Sequence, residues 1–266
     1  MPMREVCCEH VQAFLDVFAD KAAQQTNGKV VMQSMQQWAI PRGYLKVPFT
    51  IGLQVERSKG HRPPWLDHHV ETAIKHARPD LARFVVLAAY TGQRISDLVK
   101  MRWRHVRTER GFRGIQVVQT KTGKVLWIPL VDDLLPYIDA WEHEYKSQPR
   151  VDLNNDFIVL KRDGTPWNEH LLTEHWNRHR KVNPALAEHE ALQLSFHGLR
   201  ATAVIRLKQL NVSTDLICSF VGMSRQIVSV YTAMSDQIEN SIAAMEAMNS
   251  KPKTAQIVPL HRIEKD

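Results

Sequence analysis

Apolar residues recur at helical spacing along most of the chain and give way to short β-branched runs near its middle. Val11, Phe14, Leu15 and Phe18 share one stripe of a helix predicted over residues 9–26. Val30, Val31, Met35 and Trp38 share a stripe of a second, over 29–39, which Pro41 ends. The next stretch mixes Gly, Pro and basic residues without helical period and reads as a linker running to about residue 64. Three helical patterns follow: LDHHVETAIKHA, then DLARFVVLAAYTG, capped by Asp80 and stopped by Gly92, then QRISDLVKM. GIQVVQ and KVLWIP are β-rich and joined by the polar turn TKTGK, a hairpin signal. VDDLLPYIDAWEHEY reads as amphipathic helix, DFIVL as a short strand closed by the turn RDGT, and NEHLLTEHWNRHRK as helix. From His197 to Asn249 nearly everything has helical character. The pattern predicts a mainly α fold with a small antiparallel β-sheet, an α+β chain without internal repeats. Three parts are expected: a short helical segment and linker over 1–64, a large domain over 65–249, and a polar, Pro-containing, flexible tail over 250–266.

Length and charge narrow the partners. At 266 residues the chain has room for one large domain with a small one in front of it. Its 35 Lys plus Arg against 28 Asp plus Glu, and a pI near 9.4, favour a polyanionic partner. Cys7, Cys8 and Cys218 form neither a CxxC pair nor an even framework, which fits a reduced, cytoplasmic setting. The N-terminus lacks an apolar core of signal-peptide length, and no run of about eighteen apolar residues occurs, so neither export nor a membrane span is expected.

Two fragments change the picture: TGQRISDL at 91–98 and FHGLR at 196–200, followed by Tyr231. Arg94 and Asp97 stand three apart at a helix start, so the carboxylate can orient the guanidinium. An isolated RxxD is more often a surface ion pair. His197 and Arg200 have the same spacing at another helix start, where free backbone amides also favour an anion; taken alone, such a histidine is usually a cap or packing residue. Lys121 and Lys124 both sit in the TKTGK turn, where an ammonium could donate a proton or simply be solvated. A phenol ionises near pH 10, so Tyr231 would need cations or a base to act as nucleophile. Two guanidinium forks and a phenol are what attack on a phosphodiester requires, because its pentacoordinate transition state gains negative charge.

In this order and together, these pieces resemble the tyrosine recombinase or phage integrase family, over roughly residues 65–249. Arg94 matches the family's TGxRxxEL motif, with Asp97 in place of the usual acidic residue. The family's hairpin lysine falls on Lys121, its HxxR box on His197 and Arg200, and its nucleophile on Tyr231. The resemblance implies a catalytic domain of the DNA breaking-rejoining fold and a site-specific recombinase that integrates or excises a mobile element or prophage. It implies attack by Tyr231 to give a 3′-phosphotyrosyl link, with Lys121 protonating the leaving 5′ oxygen and no metal or other cofactor. It further implies double-stranded DNA attachment sites as partners, a homotetramer on DNA docked through the C-terminal helix, an optional directionality factor, and a place on the bacterial nucleoid.

Two departures stand beside the resemblance. Met223 occupies the position of the usual histidine or tryptophan, and a thioether cannot donate a hydrogen bond. The front segment is shorter than the family's helical core-binding domain, so it reads as abbreviated or truncated. These keep open a catalytically weakened DNA-binding protein of the same family; a type IB topoisomerase-like activity is a further alternative. His170, His175 and His179 could suggest a metal, but no HExxH or carboxylate at a recognised spacing accompanies them.

Overall fold

Leu15 sets the architecture of the front segment. In the computed structural model, which describes residues 2, 5–55, 63–147 and 155–250, the chain divides into two units, residues 1–61 and 62–266. In the first, helices α1 (Cys8–Asp16) and α2 (Ala22–Ala39) press together where Leu15 meets Gly28; a Cβ on that glycine would lie 2.8 Å from Leu15 Cδ2. The break between the helices therefore falls at residues 17–21, earlier than the pattern predicted. Gly28 allows close approach inside α2 and does not stop a helix. Val11, Leu15, Ala39, Leu45, Phe49 and Leu53 form a small core. The apolar stripe of α2 lies outward, with Val30, Val31, Met35 and Trp38 all exposed, and Trp38 stacks on Tyr44 at 5.5 Å.

The second unit is mainly helical around one small sheet. Helices α3 (Asp67–His76), α4 (Pro79–Thr91) and α5 (Ile95–Leu98) precede strands β1 (Val106–Glu109), β2 (Phe112–Val118) and β3 (Val125–Pro129). The strands are antiparallel in the order β1-β2-β3. Then come α6 (Leu135–Ser147), α7 (Glu169–Val182), α8 (Ala187–Ala191), α9 (Phe196–Gln209), α10 (Thr214–Val221) and α11 (Arg225–Ser250). This is the expected mainly α fold with a small antiparallel sheet. β1 was not foreseen, since only Val106 of its four residues is even partly buried. DFIVL makes isolated bridges, Arg102 to Phe157 and Leu160 to Pro166, and no strand. The flexible tail expected beyond residue 250 lies outside the described residues.

The core explains why the helices carrying the TGQRISDL and FHGLR fragments sit where they do. α4 is buried on nearly every side through Leu81, Phe84, Val85, Val86 and Leu87, and each such large apolar side chain contributes about 2 kcal/mol. Ile115 faces Ile128 and Val117 faces Leu126 across β2 and β3, turning the inner face of the sheet toward the same core. Trp65 donates from Nε1 to Ser195 O at 2.9 Å, and Trp176 to Leu194 O at 2.9 Å, so two buried indoles hold the segment that opens α9. Gly198 lies so close to Pro63 that a Cβ there would come within 2.2 Å of its carbonyl oxygen. The first turn of α9 is thereby fixed against the segment before α3.

Candidate active site

Arg200 is the most constrained charged group of the site. It rises from the first turn of α9 with 3 % of its surface exposed, donating from Nη1 to Gly92 O at 2.7 Å and from Nη2 to Val221 O at 3.2 Å. Both acceptors are carbonyls at helix C-termini, which carry partial negative charge and lack partners within their own helices. Gly92 and Gly222, the residues that end α4 and α10, are left-handed at φ 61 and φ 65. Burial, and then the nearby Arg94 cation, pull the Arg200 pKa down to about 10, so it stays protonated at neutral pH.

Arg94 caps α5 with extended backbone, one residue before the helix proper, so the helix starts slightly later than the motif predicted. Asp97, in the first turn of α5, is buried; its Oδ2 stands 3.9 Å from Arg94 Nη1 and its Oδ1 accepts the Thr120 amide proton at 2.7 Å. One carboxylate thus holds both the arginine and the β2–β3 turn. Among the described residues, Arg94 Nη1 and Asp97 Oδ2 are buried atoms without a hydrogen-bond partner. The two buried atoms face each other across the ion pair, so Asp97 is the anion beside this guanidinium nitrogen.

Lys121 follows Thr120 at the tip of that turn, exposed, as is Lys124. The turn closes through Gln119 N to Lys124 O at 2.9 Å and Gly123 N to Gln119 O at 2.8 Å, with Gly123 at φ 67. Tyr231 lies within α11, and its hydroxyl is 3.2 Å from His197 Nε2. Arg94, Asp97, His197, Arg200 and Tyr231 are therefore brought into one place, with Lys121 joined to it through the backbone of its neighbour. Met223 is buried in an apolar cluster with Val204, Ile217, Val221 and Val228, against which Tyr231 packs. Its side chain is part of the packing beneath the phenol.

Four residues of this site carried no signal in the motif reading. Gln93 and Gln119 are buried and bond each other, Gln119 Nε2 to Gln93 Oε1 at 3.1 Å. Thr120 supplies the amide that Asp97 binds. Gly222 is closely covered: a Cβ there would lie 2.4 Å from Leu126 Cδ1 and 2.5 Å from Gln119 Nε2. Only Gly222, in the run FVGMSR, was open to discovery as a helix stop.

Metal-ligand chemistry is poorly served. His68, His69 and Glu188 have ligand atoms close enough to share an ion. His69 Nδ1, however, accepts the Leu66 amide proton at 3.1 Å, so the hydrogen-bond network assigns its own proton to Nε2, which faces Glu188 at 3.0 Å. That sets an N–H at ion-pair distance from a carboxylate, and a cation would have to displace the proton. Of the histidines on α7, His179 accepts the Arg78 amide proton at 3.2 Å and His175 lies 3.4 Å from the Arg78 guanidinium, a cation that disfavours a metal beside it.

Comparison with known proteins bears on the family and the fold. The model of the phage integrase family matches residues 65–237. No curated protein matches the sequence. Among solved structures, a lambda integrase dimer bound to a COC′ core site superposes with a TM-score of 0.68 at 22% identity, covering 87% of this chain and 81% of that one. A lambda integrase tetramer bound to a Holliday junction gives 0.62 at 21%, covering 83% and 65%. The Tn1549 transposon integrase in complex with circular intermediate DNA gives 0.64 at 15%, covering 87% and 82%.

Proposed function

The chain belongs to the phage integrase family, the family of tyrosine-type site-specific recombinases, and on that premise we propose that Tyr231 is the nucleophile with which it cuts and rejoins DNA. The observation that carries the reading is the Tyr231 hydroxyl 3.2 Å from His197 Nε2, three residues before the buried Arg200 on the same helix. Tyr231 Oη bonds to phosphorus as the bond to the 5′ oxygen breaks. The phenolic proton passes to His197, and Lys121 gives a proton to the departing oxygen. A 3′-phosphotyrosyl link and a free 5′ hydroxyl result, and rejoining runs the same steps backward. Arg94 and Arg200 neutralise the charge gained in the transition state, a role in which removing one donor costs about a hundredfold to a thousandfold in rate. The Arg94 side chain, 22% exposed and held from behind by the buried Asp97, supports this, since its accessible part can meet a phosphate oxygen.

The substrate in this reading is a pair of double-stranded attachment sites of a mobile element or prophage, acted on in the cytoplasm. Four subunits would act together, and α11 supports a docking role: Ile242, Met245 and Met248 are exposed at spacings that share one face. A directionality factor belongs to the same scheme. Met223 supports a second reading, a family member that binds its site without cleaving, because the thioether is buried in apolar packing and offers no donor.

A nicked duplex carrying the attachment site from the genomic neighbourhood separates the two on a denaturing gel. A covalent protein–DNA band that disappears in Tyr231→Phe is the expected result. A specific gel shift without a covalent band would overturn cleavage and leave the binding protein.

A further inference from the structure

Val221 O, the last carbonyl of α10, accepts from three side chains: Arg200 Nη2 at 3.2 Å, Gln93 Nε2 at 3.3 Å and Gln119 Nε2 at 3.2 Å. A carbonyl oxygen has two lone pairs, so three donors at these lengths share it, and each one's position depends on the others. Gln119 also reaches the other way. Its Oε1 accepts from Thr122 Oγ1 at 3.0 Å, and its backbone closes the turn that presents Lys121. Gln93 follows Gly92, whose carbonyl is the second acceptor of Arg200, and its own Oε1 accepts from Gln119 Nε2 at 3.1 Å. Both amides are at most 1 % exposed. Burying two amide side chains is costly unless every bond is made, and an apolar pair of equal volume would fill the space without that cost.

We propose that Gln119, aided by Gln93, is a positioning residue that fixes the Lys121 turn relative to the phosphate-binding arginine, so that the leaving-group proton is delivered where Arg200 holds the phosphate. The inference rests on the recombinase reading above. It differs from a packing role in what it protects: breaking the relay should impair protonation of the 5′ oxygen while leaving phosphate binding and attack in place. Arg200 keeps its bond to Gly92 O when the glutamines are gone. The turn keeps its anchor to Asp97 through the Thr120 amide but loses its tie to α10.

The test compares cleavage of two nicked duplexes, one natural and one with sulfur replacing the bridging 5′ oxygen. A thiolate leaves without a proton, so the second substrate does not need the general acid. Gln119→Met keeps the length and volume of the side chain and removes its hydrogen bonds. Thr122→Val cuts the last link, together with a long 3.5 Å bond from the Lys124 amide, on an exposed turn where folding is not at stake. Both are expected to cleave the natural duplex about tenfold to a hundredfold more slowly, a share of the general-acid contribution, and to return to within about twofold of the parent on the sulfur duplex. Lys121→Ala should show the same rescue more strongly. Equal losses on both substrates, or no loss on the natural one, would overturn the proposal, as would absence of rescue in Lys121→Ala. Failure of the parent protein to form any adduct with either duplex is a different result, and it would remove the recombinase reading itself.

Discussion

Replacing Asp97 tests whether one buried carboxylate ties the arginine to the lysine turn. In Asp97→Ala two interactions go: the Thr120 amide loses its acceptor at 2.7 Å, and Arg94 loses the charge 3.9 Å away. A hydrogen bond to a charged acceptor is worth about 1.5–3 kcal/mol. Two unit charges at that separation attract by about 4 kcal/mol at an effective dielectric near 20. The Arg94 side chain is 22% exposed, so water compensates part of this loss. A destabilisation of about 3 kcal/mol is expected for alanine, within the range for breaking a buried pair. Asp97→Asn keeps an acceptor for the Thr120 amide and gives up only the charge, so about half of that loss is expected. Urea unfolding followed by circular dichroism at neutral pH measures both variants, and added salt should change the ranking little because the carboxylate is fully buried. An alanine variant within about 0.5 kcal/mol of the parent, or an asparagine variant as damaged as alanine, would refute the assignment.

Two further perturbations follow from the same structure. Burial pushes the Asp156 carboxyl up, but hydrogen bonds from Arg104 and Arg102 outweigh it and hold the folded-state pKa well below the usual carboxylate range. A depressed folded pKa stabilises above the unfolded value, about 4, and the benefit is lost as pH falls below that. Asp156→Asn should therefore unfold more easily than the parent at pH 7, with the gap in urea midpoints narrowing as the buffer is taken below about pH 4; a gap that widens there would be against the sign. Met223→His puts an imidazole into the apolar cluster beneath Tyr231, so the melting temperature should fall, by the equivalent of about 1–3 kcal/mol. The same variant should raise the yield of covalent adduct if a missing donor limits cleavage, and an unchanged or lower yield would show that the methionine is no defect.

The chemistry was more legible in the sequence than the scaffold that orders it. Arg94, His197, Arg200 and Tyr231 could be picked out because together and in this order they resemble the motifs of the tyrosine recombinase family, although each alone had a plainer reading. The fold brings these four into one place. Gln93 and Gln119 left no such mark: each is an uncharged polar residue without a chemistry of its own, and only tertiary structure shows that the amides face inward and meet. The helix break after α1 was misplaced for a related reason. The break was expected between residues 26 and 29, yet Gly28 lies inside α2 and admits Leu15, a contact between residues that no local pattern connects. The apolar stripe of α2 shows the limit of periodicity, which reports that a face is apolar but not that it is covered.

The shared carbonyl of Val221 also bears on how the protein comes to be active. Its donors arrive from far along the chain: Gln93 is 128 positions away, Gln119 is 102 and Arg200 is 21, while Arg200 reaches back 108 positions to Gly92. Contacts of such separation form late, after the intervening chain has lost its freedom. Until α4, the sheet, α9 and α10 have all docked, the guanidinium of Arg200 stays in water, where it stabilises a transition state poorly. On the proposed chemistry, the power to break a DNA strand therefore appears only with completed folding, and an incompletely folded chain carries its tyrosine harmlessly.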